Sequence, residues 1–182
     1  DALPISFFKN DLVEMEIFME NIQKSLKEKA ITIGFAHTAF LPVEKLIFVE
    51  EYRKYCEENV CGNYNKLSNC PPKCGTVQEM KEKACRYTTA FIMQSVWDLE
   101  DYGDTNAIKG MKSRHNRMTR ELTEAAAEQG ITGLTMSAGP TAQDCCMSAY
   151  CVDAARMAAD CSLEYWMPKG KVSFFSQFLY NE

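Results

Sequence analysis

The chain has 182 residues, of which 46% are hydrophobic and 25% are charged, a composition typical of a globular protein rather than a disordered or fibrous one. Its 20 basic and 25 acidic residues leave a net charge of −5, which argues against nucleic acid or an anionic membrane surface as partner. It contains no apolar run of the ~20 residues that a membrane helix needs, and its beginning lacks the basic start and apolar stretch of a secretory signal. We therefore expect one soluble, cytoplasmic domain over residues 1–182.

The first part of the chain predicts one helix and two short strands. An apolar stripe at three- and four-residue spacing predicts an amphipathic helix over residues 10–29. Short β-rich runs predict strands at 31–35 and 45–50, and the second of these leads directly into a cysteine-rich segment. The residues of the helical stripe are Leu12, Met15, Phe18, Met19, Ile22 and Leu26.

The cysteine-rich segment, residues 52–76, is poor in apolar side chains and cannot supply much of a core. A disulfide or a metal is therefore expected to hold it. Gly62 and Gly75 each follow a cysteine and permit tight turns. The whole chain has nine cysteines, and this odd number leaves at least one thiol free or bound to something other than sulfur. The segment contains Cys56, Cys61, Cys70 and Cys74.

A capped helix and a buried strand follow the cysteine-rich segment. Thr76 and Glu79 match a capping box, which marks the first turn of a helix. Cys85 falls inside this helix and is expected to be a small buried side chain. Residues 88–96 form a continuous apolar, partly β-branched run, which predicts a strand that is buried on both faces.

The last part of the chain predicts two helices and two strands. A long helix is expected over residues 105–129, ended by Gly130, and a strand over 131–137. A second cysteine-bearing helix is expected over 144–160, and a terminal strand over 172–179.

The long helix carries two features with open interpretations. His115 lies on its apolar stripe and is either a satisfied core residue or a ligand or proton carrier. A cluster of basic side chains is either a solvated face or a site for an anion or an acidic partner. This cluster consists of Lys109, Lys112, Arg114, Arg117 and Arg120.

Alternation of helices with short apolar strands predicts an α/β domain, with a central sheet flanked by helices and cysteine-rich loops at strand ends. Sites in open α/β sheets gather at the carboxyl ends of strands. The two cysteine segments, 52–76 and 144–161, are therefore expected to converge on one edge of the sheet.

The four thiols of the first segment match the number that a [4Fe–4S] cluster or a tetrahedral zinc requires. Their spacing is Cys56-x4-Cys61-x8-Cys70-x3-Cys74, with only one close pair, whereas zinc modules usually show two. Proline directly after Cys70 is similar to the ending of ferredoxin-type boxes. We therefore expect a [4Fe–4S] cluster, with zinc or no metal as alternatives.

The second cysteine segment is either a further site, a contribution to the first, or a set of core or free thiols. Adjacent cysteines point in different directions, so Cys145 and Cys146 are not expected to bind one metal side by side. Cys151 and Cys161 complete this group. No P-loop, dinucleotide-binding glycine motif, nucleophile elbow or HExxH motif is present, so the familiar hydrolase and nucleotide-binding functions lack support.

The run "LIFVEEYRKYCEENVCGNYNKLSNCPPKCGTVQEM", followed by "YTTAFIM", resembles a family of prokaryotic proteins known only as predicted metal-binding proteins. Its hallmarks are a Cys-Pro-Pro box, a helix and a buried strand, then a long helix with a histidine, a strand, a Gly-Pro turn and a second cysteine group. The similarity spans roughly residues 40–165 and implies metal or iron–sulfur binding without naming a reaction. The ligands that it implies are Cys56, Cys61, Cys70 and Cys74, with Cys145, Cys146 and Cys151 as a second group.

These observations predict a metal-binding protein, with an iron–sulfur cluster, that acts in electron transfer or as an accessory to a redox enzyme. Such a role needs a redox partner protein, and a symmetric homodimer is the default assembly. The alternatives are a zinc-stabilised structural or interaction module and a cysteine-dependent redox enzyme.

Overall fold

The computed structural model describes the backbone of residues 5–181 and the side chains of residues 17–181. Its helices are α1 (Ile5–Ile33), α2 (Arg53–Glu57), α3 (Val77–Ala84), α4 (Thr105–Glu128) and α5 (Ala154–Asp160). Its strands are β1 (His37–Pro42), β2 (Thr89–Asp98), β3 (Gly133–Ser137), β4 (Cys145–Cys146) and β5 (Lys171–Tyr180). None of the helices in the described residues combines the length and the apolar character that a membrane crossing requires.

Within residues 5–181 the strands form one sheet in the order β1-β2-β5-β3-β4. The pairs β1–β2, β2–β5 and β5–β3 are antiparallel, and the pair β3–β4 is parallel. The two longest strands, β2 and β5, pair along their whole length, from Thr89 opposite Tyr180 to Asp98 opposite Lys171. The expected mixed α/β architecture, a sheet flanked by helices, is confirmed.

Both faces of the sheet are covered, and this explains the continuous apolar run of β2. Alternate side chains of β2 enter two separate clusters. Phe91 and Met93 pack with α1 and α4, whereas Ala90 and Ile92 pack with α3, α5 and the second cysteine segment. The cysteine segments therefore lie on the face of the sheet opposite to the long helices.

In the first part of the chain, the helix is confirmed and the two strands are wrong. Helix α1 runs through the predicted strand at 31–35 because its buried stripe continues through Leu26 and Ala30, and it ends at Gly34, whose φ is 112°. Between 45 and 50 the chain makes 3-10 turns instead of a ladder, and Phe48 forms only an isolated bridge with Val152. Among the stripe residues, Leu12 and Met15 lie outside the residues whose side chains are described.

The later elements follow the prediction except around the second cysteine segment. The capping box is confirmed, because the Thr76 hydroxyl accepts from the Glu79 amide at 3.2 Å and Glu79 accepts from the Thr76 amide at 2.8 Å. The predicted helix over 144–160 is wrong in its first half, which forms β4 and turns. Only α5 is helical, and Asp153 caps it. Cys85 is exposed at the end of α3 rather than buried.

Candidate metal centre

The first cysteine segment is built from a short helix and a chain of turns. Helix α2 carries Arg53 and Cys56. Beyond it, turns at Gly62 and Gly75 use positive φ values of 76° and 114°, as their glycines allow. Of its four cysteines, Cys70 is buried, with 4% of its surface exposed, so this thiol points into the protein.

The second cysteine segment is hydrogen-bonded to the residues that directly precede the first segment. Parallel pairing places Cys145 beside Met136 of the sheet. Further along, the Val49 amide donates to the Cys151 carbonyl at 2.8 Å, and the Asp153 amide donates to the Ile47 carbonyl at 2.8 Å. These bonds hold residues 47–49, which directly precede the first segment, beside the second segment.

Side chains join the two segments as well. Arg53 donates to the Ala149 carbonyl at 3.1 Å and reaches the Cys74 sulfur at 3.9 Å and the Met80 sulfur at 3.6 Å. Cys56 lies 3.8 Å from the Ser148 carbonyl. Sequence reasoning missed Arg53, and the available signal was an arginine one helical turn before a cysteine.

Cys146, which is 9% exposed, is an electrostatic neighbour of three thiols of the first segment. Burial, followed by the neighbouring Cys146, raises the pKa of Cys56 to about 12, although Arg53 opposes this shift. Burial and then Cys146 and Cys61 raise the pKa of Cys70 to about 11. Burial also raises the pKa of Cys146, and Cys61 adds to that shift. We call these four cysteines, Cys56, Cys61, Cys70 and Cys146, the thiol cluster.

Cys74 and Cys145 form a separate contact beside the thiol cluster. The Cys145 thiol hydrogen-bonds to Cys74, and this bond is the largest of the effects that lower the pKa of Cys74 to about 6, with Arg53 acting in the same direction against burial. The same contact raises the pKa of Cys145. The Cys74 sulfur is also 3.3 Å from the Met80 sulfur. The strongest interaction of the predicted ligand Cys74 is therefore with Cys145.

The remaining candidate residues are Cys151 and His115. Cys151 is fully buried and is an electrostatic neighbour of Cys56 and Cys74. Burial raises its pKa, although Arg53 opposes this shift. His115 is packed on the other face of the sheet, where its ring contacts Phe35 and Phe174. The structure therefore supports the interpretation of His115 as a core residue and brings it to none of the thiols.

Residues 39–145 match the model of a family described as "Predicted metal-binding protein (DUF2284)", and this span is more than half of the 182 residues. The chain belongs to this family. The match begins in β1 and ends at Cys145, so it contains the first cysteine segment and stops one residue before Cys146. No curated protein and no solved structure matches the chain.

The DUF2284 thiols fit a soft metal by their donor chemistry. Thiolates select zinc and iron–sulfur centres, and the thiol cluster offers four of them. The pKa of Cys56 and Cys70 is high first because burial disfavours the charged thiolate, and then because neighbouring thiols add repulsion. A bound cation would offset both effects. In the part of the chain that the structure describes, no three His, Cys, Asp or Glu side chains stand at direct coordination geometry. Binding of a metal by the thiol cluster therefore requires its side chains to come closer together than they stand in the structure.

Proposed function

We propose that this protein binds a metal centre through the thiolates of the thiol cluster, Cys56, Cys61, Cys70 and Cys146. The favoured occupant is a [4Fe–4S] cluster, and the favoured role is electron transfer or assistance to a redox enzyme. The observation that carries this proposal is the contact of two distant cysteine segments through Arg53–Ala149 and Cys56–Ser148, supported by the Val49–Cys151 bond just before the first segment. When bound, the cluster would supply a one-electron redox couple, which its hydrogen bonds and burial tune.

The fourth ligand distinguishes this proposal from the sequence interpretation. Cys146 is an electrostatic neighbour of Cys56, Cys61 and Cys70, whereas Cys74 has its strongest contact with Cys145. We therefore favour Cys146 over Cys74, and Cys74 is the alternative fourth ligand. The Cys-Pro-Pro box at Cys70 supports the assignment, because Asn65 donates to the Pro71 carbonyl at 2.8 Å and fixes the loop after this ligand.

Proposals for the partner, the compartment and the assembly follow from the same assignment. A reducible cluster implies a redox partner protein and a reducing, cytoplasmic compartment. We further propose that the chain is a single domain and that the protein is prokaryotic. The acidic net charge of −5 favours neither nucleic acid nor a membrane surface as partner. A homodimer is the default assembly, and gel filtration of the purified chain tests it.

Metal and sulfide analysis of protein purified without oxygen tests the proposal. A [4Fe–4S] occupant predicts about four iron and about four acid-labile sulfide per chain. About one zinc, without sulfide or colour, would instead support the zinc-stabilised structural or interaction module. Protein that contains neither iron nor zinc above trace levels contradicts both.

A second candidate function, a cysteine-dependent redox activity, is favoured by the contact between Cys74 and Cys145. The pair opens into a cleft of about 470 Å³ that is also lined by Lys73, Lys83 and Arg86. A small-molecule disulfide could exchange there. Attack by Cys74 would release one thiol, and attack by Cys145 on the mixed disulfide would release the other and leave a Cys74–Cys145 disulfide.

Mass spectrometry after treatment with oxidised glutathione tests this second candidate. We expect a Cys74–Cys145 disulfide in the wild type and a stable glutathione adduct on Cys74 in the Cys145→Ser variant, because the second attack is then lost. Cys85→Ser is the matched control, since Cys85 is exposed and outside the cleft. Random modification of many cysteines, without enrichment of this pair, contradicts the candidate.

A further inference from the structure

A second cleft of about 590 Å³ lies between helix α4 and the loop that joins β3 to β4. Six polar residues of α4 line one wall at helical spacing, so they share one face of the helix over about 16 Å. Four of them are cations. These six residues are Lys109, Lys112, Ser113, Asn116, Arg117 and Arg120.

The opposite wall is fixed to the helix by an amide clamp. The Asn116 side chain donates to the Gly139 carbonyl at 3.1 Å and accepts from the Ala138 amide at 3.1 Å. A Cβ at Gly139 would stand 3.1 Å from the Lys112 side chain, so glycine allows the loop to approach this closely. Asn69, from the first cysteine segment, donates to the Thr141 carbonyl at 2.8 Å and holds the same loop from the other side. The cleft is therefore preformed.

The charge of the cleft is strongly one-sided in an otherwise acidic protein. Among the described residues, Lys109, Lys112 and Arg117 make no ion pair. Arg120 pairs with Glu124 at 3.8 Å in an exposed contact, and its charge also acts on Asp144, where it opposes the rise in pKa that burial causes. The one carboxylate of the lining is Asp144, whose oxygen accepts from the Thr141 hydroxyl at 3.1 Å. Four cations against one carboxylate leave the cleft with a net positive charge.

We propose that this cleft binds a small anionic molecule that carries at least two phosphate or carboxylate groups. Arg and Lys donors, together with the Ser113 hydroxyl, offer the charge-assisted hydrogen bonds that such groups accept. A concave site of this volume suits a small molecule. Cys61 also lines the cleft, so the anion would lie beside the thiol cluster. The proposal goes beyond the metal-binding function and does not rest on it.

Calorimetric titration of the full chain with pyrophosphate and with citrate at low ionic strength tests the proposal. We expect the wild type to bind at least one of the two, and the Lys112→Gln/Arg117→Gln variant to bind it at least about tenfold more weakly, because two charge-assisted bonds are lost. Binding of pyrophosphate alone assigns phosphate groups, and binding of citrate alone assigns carboxylates. Raising the salt concentration should weaken binding in either case.

Arg114→Gln is the matched control, since Arg114 is on the same helix but stacks on Trp97, with 5.1 Å between its guanidinium carbon and the ring centroid. This variant is expected to bind within about twofold of the wild type, because it removes one positive charge from the same helix but keeps all four cations of the cleft. If the double variant does not fold, Lys109→Gln replaces it, because Lys109 is exposed. Two results overturn the proposal: no binding of either anion at millimolar concentration, or an equal response in the control and cleft variants. Removal of a bound metal by pyrophosphate or citrate would also give an equal response in both variants, and this result likewise counts against the proposal.

Discussion

Replacing Cys146 with serine is expected to lower the metal affinity of the protein by more than about tenfold, while Cys74→Ser is expected to leave it within a few-fold. Loss of a residue that merely orients a ligand already costs 10–100-fold, and a serine hydroxyl is a poor substitute for a ligating thiolate. Cys146 adjoins Cys56, Cys61 and Cys70, whereas Cys74 faces Cys145. Metal content per chain after anaerobic purification, followed by competition with a chelator, measures the effect.

Cys85→Ser is the control for this pair of variants, because Cys85 is exposed at the end of α3 and takes no part in either thiol group. Metal binding is also coupled to folding, so Cys146→Ser should lower the melting temperature of metal-loaded protein more than that of metal-free protein. The opposite ranking, with metal lost from Cys74→Ser and kept by Cys146→Ser, would restore the ligand set that the spacing of the first segment predicts.

The second large effect is a loss of stability in acid that depends on His115. This side chain is fully buried, and its Nδ1 is 2.7 Å from the Ser95 hydroxyl, which accepts from the Trp97 indole at 2.8 Å. Burial lowers the pKa of His115 to about 3 from 6.5, and a backbone contact with Phe175 opposes the shift. Because the unfolded chain takes up the proton first, the stability contributed by neutral His115 is complete above pH 6.5. It falls as the pH is lowered from about 6.5 towards about 3.

The size of this effect is about 1.4 kcal/mol of unfolding free energy for each pH unit within that window. His115→Gln keeps a side chain that can accept from Ser95 but cannot titrate, so its unfolding free energy should fall less steeply between pH 6 and pH 4. Urea unfolding at several pH values measures both slopes. His37→Gln is the control, because His37 is exposed on β1 and its loss should leave the slope unchanged. Parallel curves for wild type and His115→Gln would contradict this prediction, because they would show that the folded and unfolded chains take up the His115 proton equally.

The elements that the sequence predicts well are those with strong local signals. Thr76 and Glu79 define the start of α3 by a reciprocal hydrogen bond that involves only neighbouring residues. Helix α4 combines a clear apolar stripe with a terminating glycine. Strand β2 is a long apolar run because its side chains are buried on both faces of the sheet. Such patterns can be read without knowing the partner elements.

The elements that sequence reasoning misses depend on contacts between distant residues. The sequence predicts a helix over 144–160, yet the pairing of Cys145 with Met136 and the bond between Arg53 and Ala149 impose a strand and turns on its first half. The same contacts decide the thiol grouping. Spacing alone favours Cys74 as the fourth member of the first segment, and only the tertiary fold places Cys146 among the other three thiols.

One wall of the anion cleft follows from a local sequence pattern, and the other wall does not. The helical spacing of Lys109, Lys112, Arg117 and Arg120 is a local pattern, and it is enough to predict one basic helix face. The opposite wall of the cleft depends on the Asn116 clamp to residues 138–139, which no local pattern indicates. A basic helix face becomes a cleft only through that long-range contact.

X-ray absorption spectroscopy of the metal-loaded protein tests the central claim, binding by thiolates alone, most directly. We expect a coordination sphere of sulfur atoms only, at about 2.3 Å for zinc, with the loss of one sulfur or of the whole site in Cys146→Ser. A sphere dominated by nitrogen or oxygen, or an identical spectrum from Cys146→Ser and the wild type, would contradict it.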